Sequence, residues 1–356
     1  MTDATDQAAP PPADRSPRRR RSLGSFLFWL LVTLALLWLA YWWGAREIAA
    51  AALDRVTAAA NARGYTVECT DAVSGGFPLS LDLACSRAAL AGETDPLTAT
   101  LDGVAASAPL YFPGRLTWDS AGPLALDIPV SRLALSATWT ASTSHIDAGF
   151  GGLAAVATRI EGLNLRLRPE ARPIPLAGAT AELADIAFVP ASGDDYRLTA
   201  VAKALSPESE GGQHLPAIDL DADIAAVDFG GALGTDPGAV FRAWIAKGGA
   251  IRIDRLQLAA GAVSTSTAGT LVMAPGGALT GTLKVNIAGI EALPDLVESY
   301  KPGSRDEVAQ VAAAIMAFTR PVETPAGPTR ELQLGIRNNV VSLGIIPIGV
   351  IPSFGF

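Results

Sequence analysis

A chain of 356 residues that is 49% hydrophobic and 17% charged can bury a large core and is too apolar to be mainly disordered. Its net charge is -8, and up to Arg46 six arginines face three aspartates, net +3, which leaves -11 on the remainder. An acidic main part with few Lys or Arg clusters argues against nucleic acid as a partner and against tight electrostatic docking on anionic lipid.

Residues 1–22 are rich in Pro, Asp and Arg without apolar periodicity, the pattern of a disordered tail. The run that follows at 26–43 (FLFWLLVTLALLWLAYWW) carries no charge and is long enough to cross a bilayer as a helix. Arg15, Arg18, Arg19, Arg20 and Arg21 crowd its N-terminal flank, whereas the other flank offers Arg46 beside Glu47, so the positive-inside tendency places the N-terminus in the cytoplasm. A cleaved signal peptide is the competing reading, but the run is too long for one, ends in bulky Tyr41, Trp42 and Trp43, and has no small-x-small site close behind. With Phe26, Trp29 and Trp38 these residues are the expected membrane anchor, and a single-pass membrane protein with an extracytoplasmic main domain is expected.

The division expected is a tail at 1–22, a transmembrane helix at 23–44, an Ala-rich stalk helix at 45–64 stopped by Gly64, and a β-rich domain at 65–356. From Tyr65 the apolar period becomes two. Tyr65, Val67 and Cys69 alternate with polar residues, a turn follows at Gly75, Gly76, Phe77 and Pro78, and Leu79, Leu81, Leu83 and Cys85 alternate again. A hairpin centred on Phe77 puts Cys69 and Cys85 directly opposite each other, and in an oxidising compartment they are expected to form a structural disulfide.

The alternation continues through Leu124, Leu126, Ile128 and Val130, through Leu133, Leu135, Ala137 and Trp139, and through Leu163, Leu165 and Leu167. It resumes at Tyr196, at Ile218 to Ile224, and at Ile251 and Ile253, whose phase slips before Leu256 as a bulge requires. Segments 263–273, 279–287, 332–336 and 340–345 complete the set. This pattern predicts a mainly β protein: an elongated, twisted antiparallel sheet, one face apolar and one wet, with two or three packing helices. One helix is expected at 236–247 after a Thr235/Asp236 cap. The other runs from a Ser304/Glu307 capping box to about Thr319, its stripe of Val308, Val311, Ala312, Ile315 and Phe318 packing on the core. The apolar, proline-bearing end at 345–356 is expected to pack along the apolar sheet face.

Chemistry-bearing patterns are sparse. His145 and His214 sit in expected loops without the setting of a base or a metal site. Asp219, Asp221 and Asp223 share one strand face and in principle can hold a divalent ion, but alternation with Leu220 and Ile224 reads them as the solvated face. The clusters Gly230, Gly231, Gly234 and Gly248, Gly249 lack a phosphate-loop or dinucleotide pattern. A non-enzymatic protein without cofactor or metal is therefore expected.

Together the anchor, Gly64-Tyr65 before Cys69, the Ser74 to Pro78 turn with Cys85, Trp244 before Gly248-Gly249, the repeats 268–271 and 276–281, and Leu343-Gly344 resemble domain of unknown function family 2125. The resemblance implies a Gram-negative inner-membrane protein facing the periplasm. A weaker similarity, over 251–287, to AsmA-like envelope proteins implies a link to phospholipid traffic. Two readings follow: a lipid-handling groove lined by Leu81, Leu83, Leu126, Leu135, Leu165, Leu220, Leu271, Leu283 and Val285, or a filled structural scaffold for an envelope membrane complex. Twelve or so strands at ~4.8 Å predict a groove roughly 60 Å long, and Ala202, Ala222, Gly269 and Gly281 suggest room inside it.

Overall fold

A computed structural model of the chain describes residues 23–62, 64–92, 96–112, 114–129, 133–149, 152–168, 176–210, 215–230, 237–274, 277–324 and 327–351. The tail with Arg18 to Arg21, and also Val130, His214, the Thr235/Asp236 cap, Gly231, Gly234, Gly276 and the end 352–356, lie outside the described residues. The chain divides into two units, residues 1–50 and residues 51–356.

Helix α1 runs unbroken over Leu23–Ala62. Its stretch Phe26–Ile48 is long and apolar enough to cross a membrane and has no buried residue in its apolar window. Side chains of every anchor residue project from this stretch, Phe26 and Trp29 near its start, Trp38 stacked at a tilt on Tyr41, and Arg46 over the Trp42 ring.

The second unit is built on one sheet of nineteen strands among the described residues, with antiparallel pairing throughout. Strands β1 (Tyr65–Thr70) and β2 (Val73–Gly75) both pair with β3 (Ser80–Gly92), which pairs with β4 (Leu97–Pro109). The next two rows are broken strands: β5 (Arg115–Ser120) and β6 (Leu124–Ile128) lie along β4, and β7 (Leu133–Thr138) and β8 (Ala141–Gly149) lie along β9 (Gly152–Leu167). From β9 the chain meanders, each strand beside the next, through β10 (Leu176–Pro190), β11 (Tyr196–Ser209), β12 (Ile218–Val227), β13 (Ala250–Ala260), β14 (Val263–Met273) and β15 (Leu279–Ala288). Then β17 (Gly327–Arg337) pairs with β15, with β16 (Arg320–Thr324) and β18 (Val340–Leu343) sharing its outer side and β19 (Ile346–Val350) beyond β18. Counted in rows, the ladder is about 65 Å across at ~4.8 Å per strand, close to the expected length although it holds more strands than foreseen.

A line of backbone irregularities crosses the first half of this sheet. In β4 the apolar positions are Leu97, Ala99 and Leu101, then Val104, Ala106 and Ala108, and in β9 they are Val156 and Ile160, then Leu163, Leu165 and Leu167. Each change of phase falls on a residue of positive φ, Gly103 at 62° and Gly162 at 62°, and β11 does the same at Ala204, φ 50°. The extra residue lets the strand skip a beat, so the apolar set stays on one face instead of crossing to the other. Asp219 secures the line at β11, accepting a hydrogen bond from the Ala204 amide at 2.9 Å.

The wet face carries ion pairs that run from strand to strand, among them Arg197 with Asp223, Arg255 with Asp221 at 3.0 Å, Lys203 with Asp219 at 3.2 Å, and Lys284 with Glu331 at 2.6 Å. Cross-strand opposite charges favour this register, each by a fraction of a kcal/mol. The apolar face packs at one end under α2 (Pro237–Ala246), where Tyr196, Phe229, Trp244, Ile245, Leu271, Met273, Leu279 and Ile336 form the core cluster. At its other end, after β15, come a 3-10 turn (Ile290–Ala292), α3 (Leu293–Tyr300) and α4 (Arg305–Phe318). Tyr300 donates to the Pro216 carbonyl at 2.6 Å, and Arg330 donates to the Met316 carbonyl at the end of α4 at 3.2 Å.

Several expectations are corrected. Cys69 stands opposite Ala88, not Cys85, because the paired strands centre between Pro78 and Leu79 rather than on Phe77. The disulfide nevertheless forms, at a Cα separation of 5.5 Å. Ser304 makes no capping-box bond, since its hydroxyl donates back to the Lys301 carbonyl, and α3 is an additional helix hidden by its lack of buried residues. On α4 only Ala312 is buried, while Val311 and Phe318 are 51% and 57% exposed, so that stripe is not a core face. The described part of the end does not lie on the apolar face: residues 346–350 become edge strand β19 with Ile346, Ile348 and Val350 exposed, and Ile351 reaches the core cluster. Gly269 and Gly281 do not make room either. Each pairs with a leucine of its neighbour, Leu283 and Leu271, and a Cβ on either would lie within 2.2 Å of a carbonyl oxygen.

Two outcomes follow from this packing. Gly281→Ala is expected to cost about 1–3 kcal/mol by overpacking, read as a lower urea midpoint of the strand signal in circular dichroism. The Asp219 carboxyl is held below its usual range by the Ala204 amide first and the Lys203 ammonium second. Its folded value is depressed, so its stabilising effect is present above the unfolded value and is lost as pH falls below about 4. A melting curve of Asp219→Asn measured from pH 7 to pH 3 is expected to flatten in that acid window relative to wild type.

Candidate functional site

The nine residues read as a groove do share the apolar surface. Leu220 belongs to it on β12, Leu271 on β14 and Leu283 and Val285 on β15. Register carries the same face through Leu165 on β9, Leu135 on β7, Leu126 on β6 and, past the irregular line, Leu83 and Leu81 on β3. Only Leu271 is buried; the other eight are half-buried. These aliphatic side chains therefore lie in a surface that α2 covers only at its own end.

A separate concavity lies at the α2 end of the face. A cleft of about 360 Å³ is walled by four rings, Phe188, Phe229, Phe241 and Trp244, and by the aliphatic Leu198, Ile224, Ala226 and Ile251. None of the nine groove residues lines it. Strand register assembles it: Phe188 opposes Leu198, Leu198 opposes Ile224, and Ala226 opposes Ile251. Ring contacts join the walls, with Phe188 T-shaped on Phe229 at 5.6 Å, Phe229 tilted on Trp244 at 5.5 Å and Phe241 tilted on Trp244 at 5.6 Å. Tyr196 stacks behind Phe188 at 4.9 Å, and burial pushes its phenol pKa up. Trp244 is 4% exposed and its indole N–H donates to the Val227 carbonyl at 2.8 Å, which ties α2 to the end of β12. The sequence reading marked Trp244 before Gly248-Gly249, inside the helix expected at 236–247. It missed the cleft because the rings come from a strand end, a loop and a helix, a juxtaposition that no local periodicity encodes.

The polar candidates are accounted for by structure. Asp219, Asp221 and Asp223 lie on the wet face, each paired with a cation of a neighbouring strand. His145 is not in a loop but on β8, opposite Thr117, whose hydroxyl is 3.4 Å from its Nδ1. Gly230 accepts its place by donating to the Asp194 carbonyl, and Gly248 closes α2 by donating to Ile245.

A family model described as an uncharacterized protein conserved in bacteria, DUF2125, matches residues 42–352. The chain belongs to this family. In this DUF2125 member the match begins inside α1 and takes in the whole ladder, the disulfide and the cleft. No curated protein and no solved structure matches it.

Trp244→Ala is expected to destabilise the β unit by about 3–5 kcal/mol, the range for emptying a buried aromatic site, measured as a drop in the chemical midpoint. Trp244→Phe, which keeps a ring but strands the Val227 carbonyl, is expected to cost about 1–3 kcal/mol.

Proposed function

We propose that this DUF2125 protein is a single-pass inner-membrane protein, N-terminus in the cytoplasm, whose periplasmic β domain binds lipid acyl chains along its apolar sheet face. The observation that carries the reading is the asymmetry of the sheet: one face is tied off by cross-strand ion pairs, while the other leaves eight large aliphatic side chains half-buried. Apolar surface of that extent costs about 25 cal/mol per Å² while it faces water, so it favours an apolar occupant. The placement draws on the candidate membrane helix, on the arginines before it, and on the Cys69–Cys85 bridge, which persists in oxidising compartments. A scaffold for an envelope complex is the second reading, favoured by the reciprocal fit of Leu271 over Gly281 and Leu283 over Gly269, which closes that part of the face.

The test is lipid retention by the full chain. Purified in detergent and washed free of loosely held lipid, the wild type is expected to keep phospholipid at a fixed ratio by mass spectrometry, and Leu165→Glu is expected to lose it with an unchanged melting temperature. Leu165→Gln serves if the charged variant does not fold. A folded wild type that retains no more lipid than the variant overturns the proposal and directs the search to protein partners.

A further inference from the structure

The cleft under α2 has a chemistry of its own. We propose that it is a discrete binding site for one linear hydrocarbon chain, the acyl tail of a membrane lipid. This rests on the reading of the apolar face and narrows it to a resting place with a fixed capacity.

The lining decides the ligand class. All eight wall residues are apolar, and the indole N–H of Trp244, the one strong donor among them, is already spent on the Val227 carbonyl. A sugar, nucleotide or peptide entering here would give up its hydrogen bonds to water and recover none, at about 1–3 kcal/mol for each group left unpaired. A hydrocarbon loses nothing. Size agrees: at a share of roughly 30 Å³ per carbon, similar to that of a water molecule, 360 Å³ accommodates on the order of a dozen carbons.

Access and stiffness distinguish the cleft from a packing fault. Phe229 and Trp244 are buried at its floor, but Phe188, Leu198, Ile224 and Phe241 are only half-buried, so the walls remain reachable. The rings that form those walls brace one another at 5.5 to 5.6 Å, which holds the concavity open rather than letting it collapse. The cleft also continues into the face: Leu271 belongs to the same core cluster as Phe229 and Trp244, and Leu283 packs against it. A chain sliding along the face thus meets a dead-end pocket at the α2 end.

The test uses the full chain in detergent micelles with a palmitic acid carrying a mid-chain diazirine, photolysed and mapped by peptide mass spectrometry. The expected result is labelling of the peptides bearing Phe188, Ile224 and Phe241, saturating at one probe per chain, together with labelling of the face around Leu165. Ala226→Leu, which adds bulk inside the cleft, is expected to abolish the cleft labels and spare those on the face, and Ile224→Phe replaces it if its melting temperature falls. Labels along the face with none in the cleft overturn the cleft while leaving the face reading intact, as do cleft labels that survive both fillings. Labels confined to the membrane helix overturn both.

Discussion

The antiparallel ladder, in which successive side chains must point to opposite faces, is the constraint on which the rest of this protein depends. Every strand has to keep its apolar set on one side, because a slip of one residue would turn Leu163, Leu165 and Leu167 to the wet side and their arginine neighbours to the apolar one. The irregular line through Gly103, Gly162 and Ala204 shows the cost of holding that rule over long strands. Where strands of thirteen to sixteen residues twist, an added residue resets the phase, and neighbouring strands take the reset at adjacent positions. The ion pairs of the wet face repeat the same register in charge, so packing and electrostatics specify one alignment.

Much of this was legible in the residues. The uncharged run before Trp43 and the period-two segments after Tyr65 identify an apolar helix and a β architecture, because both signals are local and repeated. The phase slip between Ile253 and Leu256 announced a bulge, and the equivalent slips in β4 and β9 carry the same signal. What escaped depends on which strand meets which. The register of β1 against β3 is set by a turn whose centre cannot be read from alternation alone, which is why Cys69 faces Ala88. Small residues read as vacancy when they mark contact, since Gly269 and Gly281 are small because leucines from the paired strand lie over them. The cleft was the least legible feature, being made by four rings brought together from a strand, a loop and a helix.

The two apolar features differ in kind. The face is broad, aliphatic and shallow, and its residues follow from the pleat. The cleft is small and aromatic, and it exists because α2 is pinned by one indole hydrogen bond where β12 ends. Membership of DUF2125 spans both, and the same matched segment includes the disulfide that fastens the first strand to the third. On the proposed reading, the pocket would fix the position of a flexible chain that the surface alone would hold anywhere.

Nearest-neighbour pairing also bears on how the molecule is made. From β9 to β15 every strand pairs with the one synthesised just before it, whereas β5 waits for β8, β7 for β9, and β15 for β17 beyond a helical excursion. Contacts of short sequence separation close small loops and form quickly, whereas remote ones delay β proteins. Over β9 to β15 a chain delivered end first can therefore zip row upon row, each finished hairpin templating the next. In that half of the sheet the topology keeps strand pairing local, the arrangement that favours fast assembly of a large β-sheet.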